Sequence, residues 1–217
     1  MTEADIPAII ALQRRVFPKM PPWTERQLRS HLAIFPEGQA VATAPDGRII
    51  GSSSSLIIAW DAFDELACWN EITGRGMFTT HSPRIGKTLY GADIGVDPEA
   101  RGMGVGSQLY EARKQLVRRL NLKRMIAGGR IPGYAAVADR MSAEAYVAEV
   151  VAGKRHDPVL SFQLKHGFTV SRVIPGYLGF DKPSMGYGTL IEWVNPAYRH
   201  ATVSALSRHP RRLPEAL

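Results

Sequence analysis

The chain holds a single cysteine, Cys68, in 217 residues. An internal disulfide is therefore excluded, which agrees with a reducing compartment, and no motif around Cys68 supports a nucleophilic role, so it reads as a structural residue. Long apolar runs are missing as well. Leu56 to Trp60 and Met125 to Gly128 fall far short of a bilayer crossing, and the N-terminus lacks the charged-then-apolar order of a secretory signal, so a cytoplasmic address is expected and a membrane partner is not. Acid is in deficit, with 20 Asp and Glu against 27 Lys and Arg and a formal charge of +7. Apart from Lys114 to Arg124 and a tail carrying Arg199, Arg208, Arg211 and Arg212, the basic residues are scattered, and no nucleic-acid motif accompanies them. A solvated helix face and a loose tail explain them; a nucleic-acid partner is not expected, while an anionic cofactor would be drawn to the same charge. No metal-ligand pattern and no internal repeat are present, and a 45% hydrophobic content is enough for one globular domain with insertions.

What is present is concentrated between Leu89 and Leu120. An apolar strand ends at Val96, Pro98 breaks it, and Arg101-Gly102-Met103-Gly104-Val105-Gly106 leads into a helix from about Ser107. Glycines at alternate positions let several backbone N–H groups converge on one anion at a helix start, where side chains would block the approach. A dinucleotide fingerprint is excluded because Ser107 stands where its third glycine belongs, and a P-loop because no Gly-Lys-Ser/Thr ending follows. The helix reads as amphipathic. Val105, Leu109, Ala112, Leu116, Val117 and Leu120 form its apolar stripe, and Arg113, Lys114, Arg118 and Arg119 are expected to face elsewhere.

Coarser signals fill in the rest. Thr2 caps a first helix carrying Ile6, Ile9, Ile10, Leu12, Val16 and Phe17; Thr24 with Gln27 opens a second through Phe35. Gln39 to Ala44 and Ile49 to about Ile58 read as a hairpin turning at Pro45-Asp46-Gly47, and the serines at 52 to 55 as a strand with small side chains. Arg124 to Gly128 is a short buried strand, Ser142 to Ala152 a helix, and Asp157-Pro158 opens a further helix ending at Gly167; Phe168 to Ile174 and Tyr187 to Trp193 close the sheet.

The turn with its flanks, Val96, Pro98-Glu99 and the run from Arg101 to Gly106, resembles the Arg/Gln-x-x-Gly-x-Gly signature of the GNAT N-acetyltransferases. The resemblance implies an α/β (α+β) fold, a mixed, mostly antiparallel twisted sheet of about six to seven strands with flanking helices. The first helix begins almost at once, so the family's first strand is expected either to lie upstream of Met1 or to be absent, leaving the sheet one strand short. It implies acetyl-coenzyme A as co-substrate, backbone groups around Ile94, Gly95 and Val96 on the pantetheine arm, and Arg101, Gly102, Met103, Gly104, Val105, Gly106 and Ser107 on the pyrophosphate. The domain would span 1–195, with insertions at 59–88 and 131–156 and a basic tail at 196–217. Tyr90 to Val96, Gly128 to Tyr134 and Asp157 to Leu160 are similar to the GNAT-type module that precedes a carbon-nitrogen hydrolase domain in some bacterial proteins.

Transfer by direct attack on a thioester needs a base for the amine and an acid for the departing thiolate. Asp93 is the foremost base candidate, placed by strand alternation on the face opposite Ala92, Ile94 and Val96, with Gly91 and Gly95 beside it leaving room for a substrate; a structural hydrogen bond is its alternative role. Glu71 and His81 are further candidates. Where the family often has a tyrosine as acid, this chain has Gln163, so either water or the thiol's own acidity serves, or another residue is recruited, Tyr134 before Tyr110. The acceptor would be a small-molecule or peptide amine, and Asp61, Asp64, Glu65 and Glu71 either receive a cationic amine or form a solvated loop surface. Two copies pairing into a homodimer, as in many relatives, and a non-catalytic acyl-coenzyme A-binding module are the remaining expectations.

Overall fold

The computed structural model describes residues 1–63 and 67–200, so Asp64, Glu65 and the tail arginines at 208, 211 and 212 lie outside the described residues. Six helices and six strands are described: α1 (Ile6–Val16), α2 (Glu25–Ile34), β1 (Gln39–Thr43), β2 (Ile49–Ile58), α3 (Trp69–Thr73), β3 (Thr88–Val96), α4 (Val105–Arg119), β4 (Arg124–Arg130), α5 (Ala143–Val151), α6 (Leu160–Lys165), β5 (Thr169–Ile174) and β6 (Gly188–Val194). They form one sheet in the order β1-β2-β3-β4-β6-β5. Only β3 and β4 run parallel, because α4 crosses over between them. Among the described residues no strand precedes α1, as the capping signal at Thr2 implied.

Helices cover both faces of the sheet. Ile6, Ile9 and Leu12 of α1, Leu28 of α2 and Ile72 of α3 pack with Leu56, Ile58, Tyr90 and Ile126. On the opposite face Tyr110, Leu116 and Val117 of α4, Val147 of α5 and Leu160 of α6 pack with Leu89, Met125 and Ile191. Each such side chain contributes about 1.5 to 3 kcal/mol on leaving water, which is why every residue of the doubly covered strand β2 is buried, its four serines included. The serines leave the bulk to their neighbours.

Two irregularities in β3 position the site. Ser54 opposes Asp93 while Ser55 opposes Gly91, so Ala92 is an extra residue, a β-bulge. The parallel ladder with β4 then stops: only Thr88 to Gly91 pair with Arg124 to Ala127. Beyond that point β3 stays with β2, through Val96 against Gly51, and β4 stays with β6, through Arg130 against Gly188. The strands part into a wedge whose edges are the unpaired side of residues 92–96 and the end of β4.

Several helix ends differ from their sequence reading. The helix after the glycine turn starts at Val105 rather than Ser107, since Gly104, at φ +81°, is already its cap. The helix after Asp157 starts at Leu160, because the Asp157 carboxylate first receives the N–H groups of Val159 and Leu160, at 2.9 Å each.

Candidate active site

Asp93 sits where the bulge and the wedge meet. Its Oδ2 accepts a hydrogen bond from Gln13 Nε2 of α1 at 2.9 Å and one from Trp23 Nε1 at 3.4 Å. Ala92 packs in the same cluster as Trp23, and the Trp69 indole N–H donates to its carbonyl at 2.9 Å. The two residues therefore share the α1 face, a correction to the alternation that set Asp93 opposite Ala92: the extra residue of the bulge shifts the pleat by one place. Burial pushes the Asp93 carboxyl above the ordinary carboxylate range, opposed mainly by the charge of Arg113.

Arg113 is the second correction. It was expected to face away from the core and instead is 4% exposed, while Ala112, assigned to the stripe, is on the surface. Its Nε donates to Ser55 Oγ at 3.0 Å, and its Nη2 donates to the carbonyls of Ser54, at 2.8 Å, and Asp93. The guanidinium thus ties together both strands at the bulge, satisfying carbonyls that the irregular ladder exposes. Gly91 makes the room: a Cβ there would stand 3.0 Å from Arg113 Nη1. The spacing held the clue, since position 113 lies four after Leu109, three before Leu116 and four before Val117.

At the far end of β3 the glycine turn is built for its backbone. Asp97 receives the Glu99 N–H at 3.1 Å and the Arg15 guanidinium at 2.8 and 3.0 Å, which anchors the start of the turn to α1. Gly102 and Gly104 both have φ +81°, a left-handed conformation costly to other residues, and a Cβ on either would meet nothing, so conformation and open approach demand glycine there. Gly106 is required by packing, with Phe162 3.0 Å from where a Cβ would stand. The first main-chain donor of α4 with an intrahelical partner is Gln108, bonded to Gly104 O at 3.1 Å. The N–H groups of Val105, Gly106 and Ser107 precede it, as free helix N-terminal donors should, and Arg101 and Met103 are exposed beside them. This cradle fits a pyrophosphate.

His166 was missed as a site residue. Its Nε2 lies 2.9 Å from Ser107 Oγ and its Nδ1 2.8 Å from Phe162 O, so the end of α6 orients the hydroxyl at the head of α4. Gln163, one turn back on α6, is buried; its Nε2 donates to Tyr110 Oη at 3.3 Å and its Oε1 has no partner. That Oε1 points at Gly129 of β4, only 2.5 Å from where a Cβ would stand.

The remaining candidates have partners of their own. The Tyr134 hydroxyl donates to Met141 O at 3.1 Å, and its ring packs against Tyr146 and Tyr187. Glu71 is exposed and receives the Cys68 N–H at 2.8 Å, capping α3. His81 Nδ1 accepts the Ile57 N–H at 3.0 Å while its ring stacks on Phe35, and burial pulls its pKa down. Tyr110 stacks on His166 with its hydroxyl facing Gln163, and burial raises its pKa. Asp61 is exposed. Among the described residues no three His, Cys, Asp or Glu side chains gather as metal ligands, and no helix is long and apolar enough to cross a membrane.

A cavity of about 470 Å³ opens on the α1 side of the wedge, with Val16, Phe17 and Met20 on one wall, Phe180 on the other and Arg130 of β4 at its base. Val16 and Phe17 also approach Gly95 of β3, where a Cβ would stand 3.3 and 3.5 Å from them. The cavity therefore meets the wedge at the end of β4, and its Val16 and Phe17 wall separates it from Gly95 of β3; Asp93 lies beyond that wall on the same α1 side.

A mixed sheet parted between a bulged strand and its parallel neighbour, with an anion cradle at the bulged strand's end, defines a class. Residues 6–138 match the model of the Acetyltransferase (GNAT) family, and the chain belongs to that family of acetyltransferases. Its relatives bracket it more narrowly. It is 42% identical over 205 residues to the uncharacterized N-acetyltransferase YkwB of Bacillus subtilis, covering 93% of this chain and 89% of that protein. It is 50% identical over 196 residues to the "Probable hydrolase YhcX" of the same organism, where the match takes in 90% of this chain but spans only 38% of the relative. The GNAT-like decarboxylase GphF, solved in complex with isobutyryl-CoA, has the same fold with a TM-score of 0.73 at 24% identity, over 90% of this chain and 97% of that one.

Proposed function

We propose that this protein transfers an acetyl group from acetyl-coenzyme A to a primary amine by direct attack. The observation that carries the reading is the meeting of a half-buried carboxyl, Asp93, with the wedge between β3 and β4, five residues before the Pro98 that opens the anion cradle. Donors at the head of α4, with Arg101 and the Ser107 hydroxyl, hold the pyrophosphate; the unpaired main chain of Ile94, Gly95 and Val96 offers a ladder edge to the pantetheine amides.

In this reading Asp93 Oδ takes the proton of the attacking ammonium. Its raised affinity for protons brings it closer to the working pH than an exposed carboxylate, and Gln13 and Trp23 fix its orientation. The amine nitrogen bonds the thioester carbonyl carbon, the carbon–sulfur bond breaks, and the thiolate leaves. Gln163 has no acidic proton to give, and Tyr134 is engaged with Met141, so the second proton that the nitrogen sheds as the amide forms passes through water to the thiolate. Titration calorimetry with acetyl-coenzyme A and thiol release over an amine panel test the reading; absence of binding at millimolar concentration sinks it.

The second reading, an acyl-coenzyme A-binding module without turnover, is favoured by Gln163 itself. Binding without thiol release on any amine would select it.

A further inference from the structure

The cavity beside the wedge has a charge pattern that speaks to the acceptor. Its cations are Lys19, in the loop after α1, Lys182, in the turn between β5 and β6, and Arg130 at the end of β4. Both lysines are exposed. Among the described residues the only acid in its wall is Asp181, and that charge is already spent: it is 1% exposed and receives both Arg130 Nε, at 2.7 Å, and Arg130 Nη2, at 2.6 Å. The paired guanidinium lies over the Phe17 ring at 5.9 Å, so it is fixed from both sides. Phe17, Val16, Met20 and Phe180 make the walls apolar.

Among the described residues no further acid that could receive a second ammonium lines this space. Asp61 and Glu71 belong to the segment between β2 and β3, and Glu71 is committed to capping α3. A polyamine would bring more positive charge between Lys19 and Lys182 with no free carboxylate to meet it. An amine carrying its own carboxylate on an apolar body suits these features: its body on Phe17 and Phe180, its carboxylate at the two lysines, and its nitrogen directed past the end of β4 into the wedge where Asp93 stands.

Resting on the acetyltransferase reading, we propose that the acceptor is an amino carboxylate with an apolar body, an apolar α-amino acid or close analogue, and that Lys19 and Lys182 select it by charge. The test is a matched panel on the full chain: leucine, phenylalanine and methionine, their amides, the corresponding amines without a carboxyl, and putrescine and spermidine, followed by thiol release from acetyl-coenzyme A. Binding of N-acetyl-leucine against N-acetyl-leucinamide in the presence of coenzyme A is measured alongside. An acid preferred over its amide by about tenfold in kcat/KM or in affinity is the expected result. The double variant Lys19→Glu/Lys182→Glu is expected to abolish that preference while its affinity for acetyl-coenzyme A stays within about threefold. The proposal is overturned if the amides or polyamines serve as well as the acids, if the double variant keeps the preference, or if coenzyme A binds while no acid is either turned over or bound. Failure of acetyl-coenzyme A binding itself would instead strike the acetyltransferase reading.

Discussion

At the scale of single residues, Asp93 and His31 show burial acting on opposite kinds of charge. Asp93 binds its proton more tightly than a free carboxyl, so the rate is expected to rise with pH through a limb above the ordinary carboxylate range. Asp93→Asn, which can keep the bond with Gln13 but cannot take the proton, should lower kcat by about 10²- to 10⁴-fold, remove that limb and leave acetyl-coenzyme A affinity nearly unchanged. An unaltered pH profile in the variant would clear Asp93 of the role. His31 lies in α2, fully buried, its Nε2 2.7 Å from Gly76 O and its ring stacked on Phe78 at 3.6 Å. Desolvation lowers its pKa from 6.5 to about 4. Between those values the unfolded chain binds a proton that the folded one refuses, so stability is full above 6.5 and is lost as pH falls toward 4, by roughly 3 kcal/mol in all. His31→Gln should be less stable at pH 7 but lose less on acidification, which denaturant melts at pH 7 and pH 5 would compare.

Among elements, β3 and α4 decide the site, and they differ in how far the sequence discloses them. The glycine turn was legible because left-handed backbone at Gly102 and Gly104 leaves a mark in residue type. Gly104→Ala is expected to cost about 1 to 2 kcal/mol of strain and to weaken acetyl-coenzyme A binding, since the added methyl group meets no protein atom and acts through φ and through the open approach. Unchanged affinity by calorimetry would count against the cradle. The bulge at Ala92 left no such mark, because any residue can occupy it and only the pairing of Ser54 with Asp93 and Ser55 with Gly91 defines it. Asp93 acquires its partners from 80 and 70 positions away, Gln13 and Trp23, contacts that no local pattern records. Arg113 was misread for a different reason: charge outweighed position, although its spacing from Leu109 and Leu116 placed it on the buried face. Arg113→Met keeps the bulk but leaves the Ser54 and Asp93 carbonyls without their donor and is expected to cost about 2 to 4 kcal/mol. A role in placing Asp93 beyond stability requires that kcat fall at a temperature where the variant is fully folded, and that the ascending limb of its pH profile move toward higher pH as the countering charge is lost.

For the whole molecule, the wedge is a deliberate gap in an otherwise continuous sheet. Closing β3 onto β4 along its full length would pair residues 92–94 with 128–130 and shorten the ladder edge, but Tyr177 and α6 hold β4 in place. Tyr177, with its hydroxyl against Tyr90, fills the space above Gly128 and Gly188, where a Cβ would stand 1.8 Å and 2.6 Å from its ring, while Gln163 presses on Gly129. Gly128, Gly129 and Gly188 are small so that these side chains can lie flat on the two strands. The protein therefore leaves 94–96 without a strand partner on the β4 side, and a ligand with amides of its own can complete the sheet there. Acetyl-coenzyme A at 100 times its dissociation constant should stabilise the folded state by about 2.7 kcal/mol and raise the melting temperature by about 5 to 10 °C in a single transition. Hydrogen exchange locates the effect: protection should appear at the amides of 92–96 that point away from β2 and at the head of α4, but not in β1 or β5 at the sheet edges. Protection confined to the head of α4 would mean that the cradle holds a nucleotide while the wedge stays empty, and the thioester would then have no path to Asp93.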